Sequence, residues 1–171
     1  MKNLKDYLNE GLISRKVSIK TPIKYSPETK KELKHIILDL LNKGITNLNC
    51  IDVSGITDMD SLFYEINEKI KVKEIDISEW NVSKVTNMHF LFAKCKEFKS
   101  DLSSWNVSNV ENMESTFYGC KNFTSDLSNW NVSNVKYMDN MFAGSMEFNS
   151  DLSNWDVSGC NWFRSINSSI L

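Results

Sequence analysis

The chain of 171 residues contains only 2 prolines, 6 glycines, 4 cysteines and 2 histidines. So little proline and glycine excludes a collagen-like or low-complexity chain, and so little cysteine excludes a disulfide scaffold. No apolar run approaches the roughly 18 residues of a membrane helix, and Met1 to Glu10 lacks the apolar stretch of a secretory signal. The expectation is a chain that is not inserted in a membrane and is cytoplasmic or, by the alternative below, part of a virion. Lys and Arg number 20 against 22 Asp and Glu, so the basic field that drives non-specific nucleic-acid binding is missing and nucleic acid is not expected as a partner. The charge is uneven all the same. Residues 1–50 carry 10 basic and 5 acidic groups, whereas residues 51–171 carry 10 and 17.

What the chain has is repetition. Residues 76–100, 101–125 and 126–150 align without a gap as DISEWNVSKVTNMHFLFAKCKEFKS, DLSSWNVSNVENMESTFYGCKNFTS and DLSNWNVSNVKYMDNMFAGSMEFNS, the last two matching at 14 of 25 positions. A partial copy, DLSNWDVSGC, follows from Asp151, and a degenerate one, DVSGITDMDSLF, begins at Asp52. Units of this size cannot bury an apolar face alone and must stack on their neighbours.

Apolar spacing changes character within a unit. Phe98, Ser100 and Leu102 alternate, as do Trp105 and Val107 after a slip near Ser104, which predicts an extended segment with a bend. Val110, Met113, Phe117 and Cys120 recur at helical spacing, Ser108 and Glu111 have the capping-box pattern, and Gly119 and Gly144 stand where a helix would exit left-handed. The expected fold class is therefore α/β: a leucine-rich-repeat-like solenoid with one parallel strand and one short helix per 25-residue repeat. Residues 26–50 are expected to hold a capping helix and a first strand. Ser26 and Pro27 are expected to open that helix, and Leu33, Ile36, Ile37, Leu40 and Leu41 to form its apolar stripe up to Gly44. Residues 51–160 form the repeats, and 161–171 are expected to fold back as a second cap. Residues 1–25 remain an amphipathic and then extended basic segment, read either as a docked terminal helix or as a targeting peptide.

Four side-chain ladders follow from the alignment. Asn81, Asn106 and Asn131 give way to Asp156, and what Asn and Asp share is an acceptor oxygen, so this position is expected to close a turn onto a backbone N–H. Trp80, Trp105, Trp130 and Trp155 are expected to point inward as core, the alternative being an outward glycan or peptide platform. Asp76, Asp101, Asp126 and Asp151 would line up about 5 Å apart, where two carboxylates in water repel by about 0.8 kcal/mol, so no ion is required. Calcium between these carboxylates, in a calcium-stabilised glycan-binding protein, is the alternative. Cys95 and Cys120 match Ser145, which points to small buried side chains rather than a disulfide.

Catalytic chemistry is poorly supplied. His35 and His89 do not recur between repeats, no Cys/His spacing suggests zinc, and no nucleophile–base pair is visible. The chain is expected not to be an enzyme and to use no cofactor. Its binding positions are expected to be those that vary between repeats, His89, Glu114 and Asp139 at one place and Lys96, Lys121 and Met146 at another, and its partner another protein.

The unit D-[LI]-S-x-W-N-V-S-x-V-x-x-M, with Phe, Cys and Phe further on, resembles the repeat of BspA-like leucine-rich-repeat surface proteins, which Mycoplasma-type lipoproteins also carry. The resemblance covers about residues 45–160 and implies a non-catalytic solenoid displayed on a cell surface for adhesion or interaction. The start MKNLKDYLNEG is similar to the short leaders that send proteins into the heads of large tailed phages, with Leu8, Asn9, Glu10 and Gly11 like their cleavage pattern. That second resemblance implies a head-packaged or decorative virion protein.

Overall fold

The computed structural model describes residues 22–161. The amphipathic segment and leader expected before residue 22, and all but the first residue of the expected second cap, lie outside the described residues.

Helix α1 spans Lys30–Asn42 and buries Leu33, Ile37 and Leu40 against the first unit. Its opening corrects the expectation at Ser26. The N-cap is Thr29, whose side chain accepts from the N–H of Glu32 at 3.2 Å, while the Glu32 carboxylate reaches back to the N–H of Glu28 at 2.9 Å. Gly44, at φ 74°, ends it, with Ile45 N–H donating to the carbonyl of Leu40. Helix α2, Leu62–Asn67, occupies the degenerate first unit.

No other helix and no strand lies among the described residues. The expected α/β solenoid, with a strand and a helix in each repeat, is therefore wrong for this chain. Five isolated parallel bridges stand in place of a sheet: Tyr25 with Ile51, Asn47 with Asp76, Asp58 with Asn87, Asn87 with Asn112, and Asn112 with Tyr137. The rest of each unit is linked turns.

Local hydrogen bonding explains both failures. Where a strand was expected, the N–H groups of Ile77, Leu102 and Leu127 donate to the hydroxyls of Ser100, Ser125 and Ser150, at 3.1, 2.8 and 2.9 Å. A side chain takes the place of the neighbouring carbonyl, so no backbone ladder propagates. Where a helix was expected, Phe90, Lys94, Ser115, Gly119, Asn140 and Gly144 all have positive φ. Each interrupts the helical i→i−4 pattern, and alternate N–H groups turn to the next unit instead. Met88, Phe90, Phe92 and Lys94 donate to the carbonyls of Asn112, Glu114, Thr116 and Tyr118, and Met113, Ser115, Phe117 and Gly119 donate to those of Tyr137, Asp139, Met141 and Ala143. Ser108 and Glu111 accordingly form no capping box, and Glu111 N–H bonds to the carbonyl of Thr86. Four-residue turns such as Leu91 N–H to Met88 carbonyl give Val110, Met113, Phe117 and Cys120 a helix-like spacing without a helix.

Stacked side chains line the interior. Phe63, Phe92, Phe117 and Phe142 succeed one another at 5.2, 5.5 and 5.6 Å between ring centres, and Phe98, Phe123 and Phe148 at 5.8 Å per step. Each of these rings is at most 5% exposed. Full burial of a large apolar side chain stabilises by roughly 1.5–3 kcal/mol, so the recurring rings are the main attraction between units.

Candidate functional site

Three of the four ladders hold the units together, and the Asn ladder closes a turn within each unit. Trp80, Trp105, Trp130 and Trp155 lie inside, at most 8% exposed, so they offer no outward platform. Their indole Nε1 atoms donate to the carbonyls of Leu48, Ile77, Leu102 and Leu127 at 3.0–3.1 Å, which satisfies the one polar group each ring carries inward. Asn81, Asn106, Asn131 and Asp156 each accept through Oδ1 from the N–H two residues on, at Ser83, Ser108, Ser133 and Ser158, all at 3.1 Å.

The Asp ladder is equally engaged. Asp101 Oδ1 accepts from the N–H of Ser103 at 2.9 Å and from the hydroxyl of Ser125 at 3.0 Å, and Asp126 Oδ1 from Ser128 N–H and the Ser150 hydroxyl at 2.9 and 2.8 Å. Asp76 accepts from Ser78 and from Asn47, and Asp151 from Ser153. Backbone N–H donation first, then serine hydroxyls, hold Asp101 and Asp126 below the usual carboxylate range. Among the described residues, no group of three or more His, Cys, Asp or Glu side chains is arranged to hold a metal ion.

Cys95 and Cys120 are buried free thiols. Burial pushes the Cys95 thiol up to about 12 and that of Cys120 well above its ordinary value. Neither is poised as a nucleophile.

The variable positions remain at the surface. Asp60, His89 and Glu114 form a line across three units: His89 Nδ1 stands 2.8 Å from Asp60 Oδ1, and Nε2 stands 4.0 Å from Glu114 Oε2. Lys30 of α1 joins this line through Asp58 at 3.3 Å and Asp60 at 3.8 Å. Asp139 follows at the matching place in the next unit, its carbonyl accepting from Ser115 N–H. Lys96, Lys121 and Met146 lie along a second edge. There the carbonyls of Lys96 and Lys121 accept from Asn122 and Glu147 N–H, and the Met146 side chain is 72% exposed. The two sets do not converge on one pocket. His35 belongs to neither line and stands on an open cavity of about 690 Å³ beside α1 that Lys24, Tyr25, Lys31 and Ile36 also line.

A surface whose interior repeats while two exterior lines vary is the geometry against which kinship can be read. The profile of the DUF285 family, described as a Mycoplasma protein of unknown function, matches residues 57–168. The chain belongs to the DUF285 family. No curated protein and no solved structure matches it significantly. The matched span starts at Thr57, just before the first carboxylate–imidazole pairing, and takes in all three full repeats of this DUF285 member. Helix α1 precedes the matched span. Among the described residues no helix is long and apolar enough to cross a membrane.

Alignment of the repeats missed two members of the surface, Lys71 and Lys94. Lys71 sits in the extra residues between the degenerate copy and Asp76, where no alignment applies. The signal for Lys94 is that a lysine stands at the place of Gly119 and Gly144.

Proposed function

We propose that the chain is a non-enzymatic interaction module of the bacterial surface-protein type, which binds another protein through side chains that differ from unit to unit. The observation that carries this reading is a division of labour within the repeat. The Asp, Trp and Phe ladders join unit to unit and the Asn ladder closes turns within each unit, while the half-buried line through His89 and the exposed line through Lys96 change chemistry along the stack. The kinship of DUF285 with BspA-like repeat surface proteins supports the surface assignment. A non-catalytic role is supported by the surroundings of His89, whose ring nitrogens face two carboxylates rather than a hydroxyl or thiol.

The test is photo-crosslinking of the full chain in the cell that makes it, with a benzophenone side chain in place of Glu114 or Met146. A discrete protein adduct at these positions, lost when Asp139 is replaced by lysine beside them, is expected. Absence of an adduct at both positions, or a catalysed turnover abolished by His89→Gln, overturns the reading.

A further inference from the structure

The repeat region is acidic except at one corner. Residues 69–99 carry 7 lysines against 4 acidic groups, whereas residues 100–161 carry 2 basic against 8 acidic. Lys71, Lys94 and Lys96 converge, with Asn67 and Val72, on a cavity of about 250 Å³. Glu68 and Glu97 line it as well, and Glu97 pairs with Lys73 at 3.5 Å, which leaves the three lysines in excess. Among the described residues no carboxylate lies within ion-pair distance of Lys71, Lys94 or Lys96. Lys71 Nζ reaches only the carbonyl of Asn67, at 3.4 Å, and Lys94 Nζ lies 5.6 Å from the centre of the Tyr64 ring.

The walls of this cavity are tied together. Asn67 is 6% exposed; its Nδ2 donates to the carbonyl of Lys94 at 3.3 Å and its Oδ1 accepts from the N–H of Val72 at 3.0 Å. One buried amide thus fixes the backbone on both sides of the lysines. Lys94 is held at φ 59°, and the matching residues of the next two units are Gly119 and Gly144, at φ 69° and 77°. Glycine adopts this conformation freely and lysine only against a steric cost. What lysine adds at a place suited to glycine is its ammonium, beside the cavity.

We propose that Lys71, Lys94 and Lys96 form a subsite for a carboxylate side chain presented by an acidic segment of the partner protein. The inference rests on the interaction-module reading and gives the chemistry of one part of its surface. Three cations without carboxylate partners supply the charge, and the lysine stems supply an apolar wall for the methylenes of a glutamate.

The experiment titrates the full chain with hexaglutamate while amide chemical shifts are followed. Shifts centred on Asn67, Lys94 and Lys96 are expected, with affinity that falls as salt rises. The Lys94→Gly, Lys96→Gln double variant is expected to weaken binding by about tenfold or more. Lys94→Gly alone is expected to leave Tm unchanged or higher, since glycine suits the backbone, which separates a lost subsite from a lost fold. Shifts centred elsewhere, undiminished binding by the double variant, or equal displacement of the peptide by inorganic phosphate would overturn the proposal. The crosslinks at Glu114 and Met146 use other positions. Their persistence without hexaglutamate binding defeats the subsite alone, and their loss with hexaglutamate binding intact defeats the module reading alone.

Discussion

The thiol of Cys120 donates to the carbonyl of Phe92, 28 residues earlier, at 2.9 Å. Ser145 makes the same bond to Phe117 at 2.6 Å, and Cys95 a longer one to Phe63 at 3.5 Å. The position therefore selects a small side chain with a proton to give, and a thiolate there would face a carbonyl oxygen. Burial raises both thiols, Cys95 to about 12. A group whose folded pKa is raised contributes stability that is complete below its unfolded value, about 8.5 for a thiol, and is lost as pH climbs through the folded value. Stability is expected to fall between about pH 9 and 12, by up to about 1.4 kcal/mol per pH unit for each thiol. Urea melts across that range, with the Cys95→Ser, Cys120→Ser variant as control, check this: the variant should lose stability less steeply. Equal slopes would remove the thiols from the account.

The hydroxyl of Ser125 is expected to matter more than its half-buried setting suggests. It accepts from the N–H of Leu102 at 2.8 Å and donates to Asp101 at 3.0 Å, joining two units through one atom. Ser125→Ala leaves that N–H without its acceptor, at a cost of about 1–3 kcal/mol, measured by denaturant unfolding. Ser125→Thr keeps the hydroxyl and is expected to recover most of the loss.

That serine also marks the limit of what the residues disclose by themselves. The 25-residue period is read directly from the alignment, and the repeated residues are those found in the interior, in unit-joining bonds or in the turns within a unit. Trp105 lies inside with its Nε1 on the carbonyl of Ile77, and Asn106 closes the turn onto Ser108. Positive φ at Gly119 and Gly144 is likewise legible, since glycine marks left-handed backbone. The strand and the helix do not form where periodicity predicts them, because periodicity reports which side chains face inward, not where the backbone bonds. Val110, Met113, Phe117 and Cys120 face inward whether the chain coils on itself or sends alternate N–H groups to the next unit. Nothing in Phe90 or Ser115 announces a left-handed residue. The surface was less legible still. His89 and Glu114 stood out as variable, but the link from His89 to Asp60 and Lys30 crosses the degenerate copy, where alignment fails.

The Asp ladder gives the chain its acid limit. Backbone and hydroxyl donors lower Asp101, Asp126 and Asp151. Groups with depressed pKa contribute stability above the unfolded value, about 3.9, and lose it as pH falls through the folded value. Stability is expected to drop below about pH 4, with little change above it from this source. Asp101→Asn keeps an acceptor for Ser103, as Asn106 does for Ser108. The variant is expected to match the parent at pH 7 and to lose less stability at pH 3. A variant already weakened at pH 7 would show that the charge, not the acceptor, holds the turn.

Lys30 stands where a preceding unit would be. In later units the carbonyls of His89, Glu114 and Asp139 accept from the N–H groups of Ser61, Phe90 and Ser115 in the unit before. At Asp60, the matching residue of the first unit, the donor is Lys30 Nζ of α1, at 3.0 Å. The same ammonium lies 3.3 Å from Asp58 and 3.8 Å from Asp60 Oδ2, and Lys34 pairs with Glu65 one turn on. Helix α1 thus substitutes a cation for the missing N–H while Leu33, Ile37 and Leu40 cover the apolar end. Because the ammonium is a third exposed, its ion pairs contribute little, and its bond to a carbonyl is the larger part. Lys30→Met keeps the stem and removes the donor, at an expected cost of about 1 kcal/mol in denaturant unfolding. Leu33→Asp, Ile37→Asp should instead detach the helix and open the first unit. Sedimentation velocity is expected to show concentration-dependent association for that double variant and a monomeric Lys30→Met, since only the former uncovers the apolar end to a second chain.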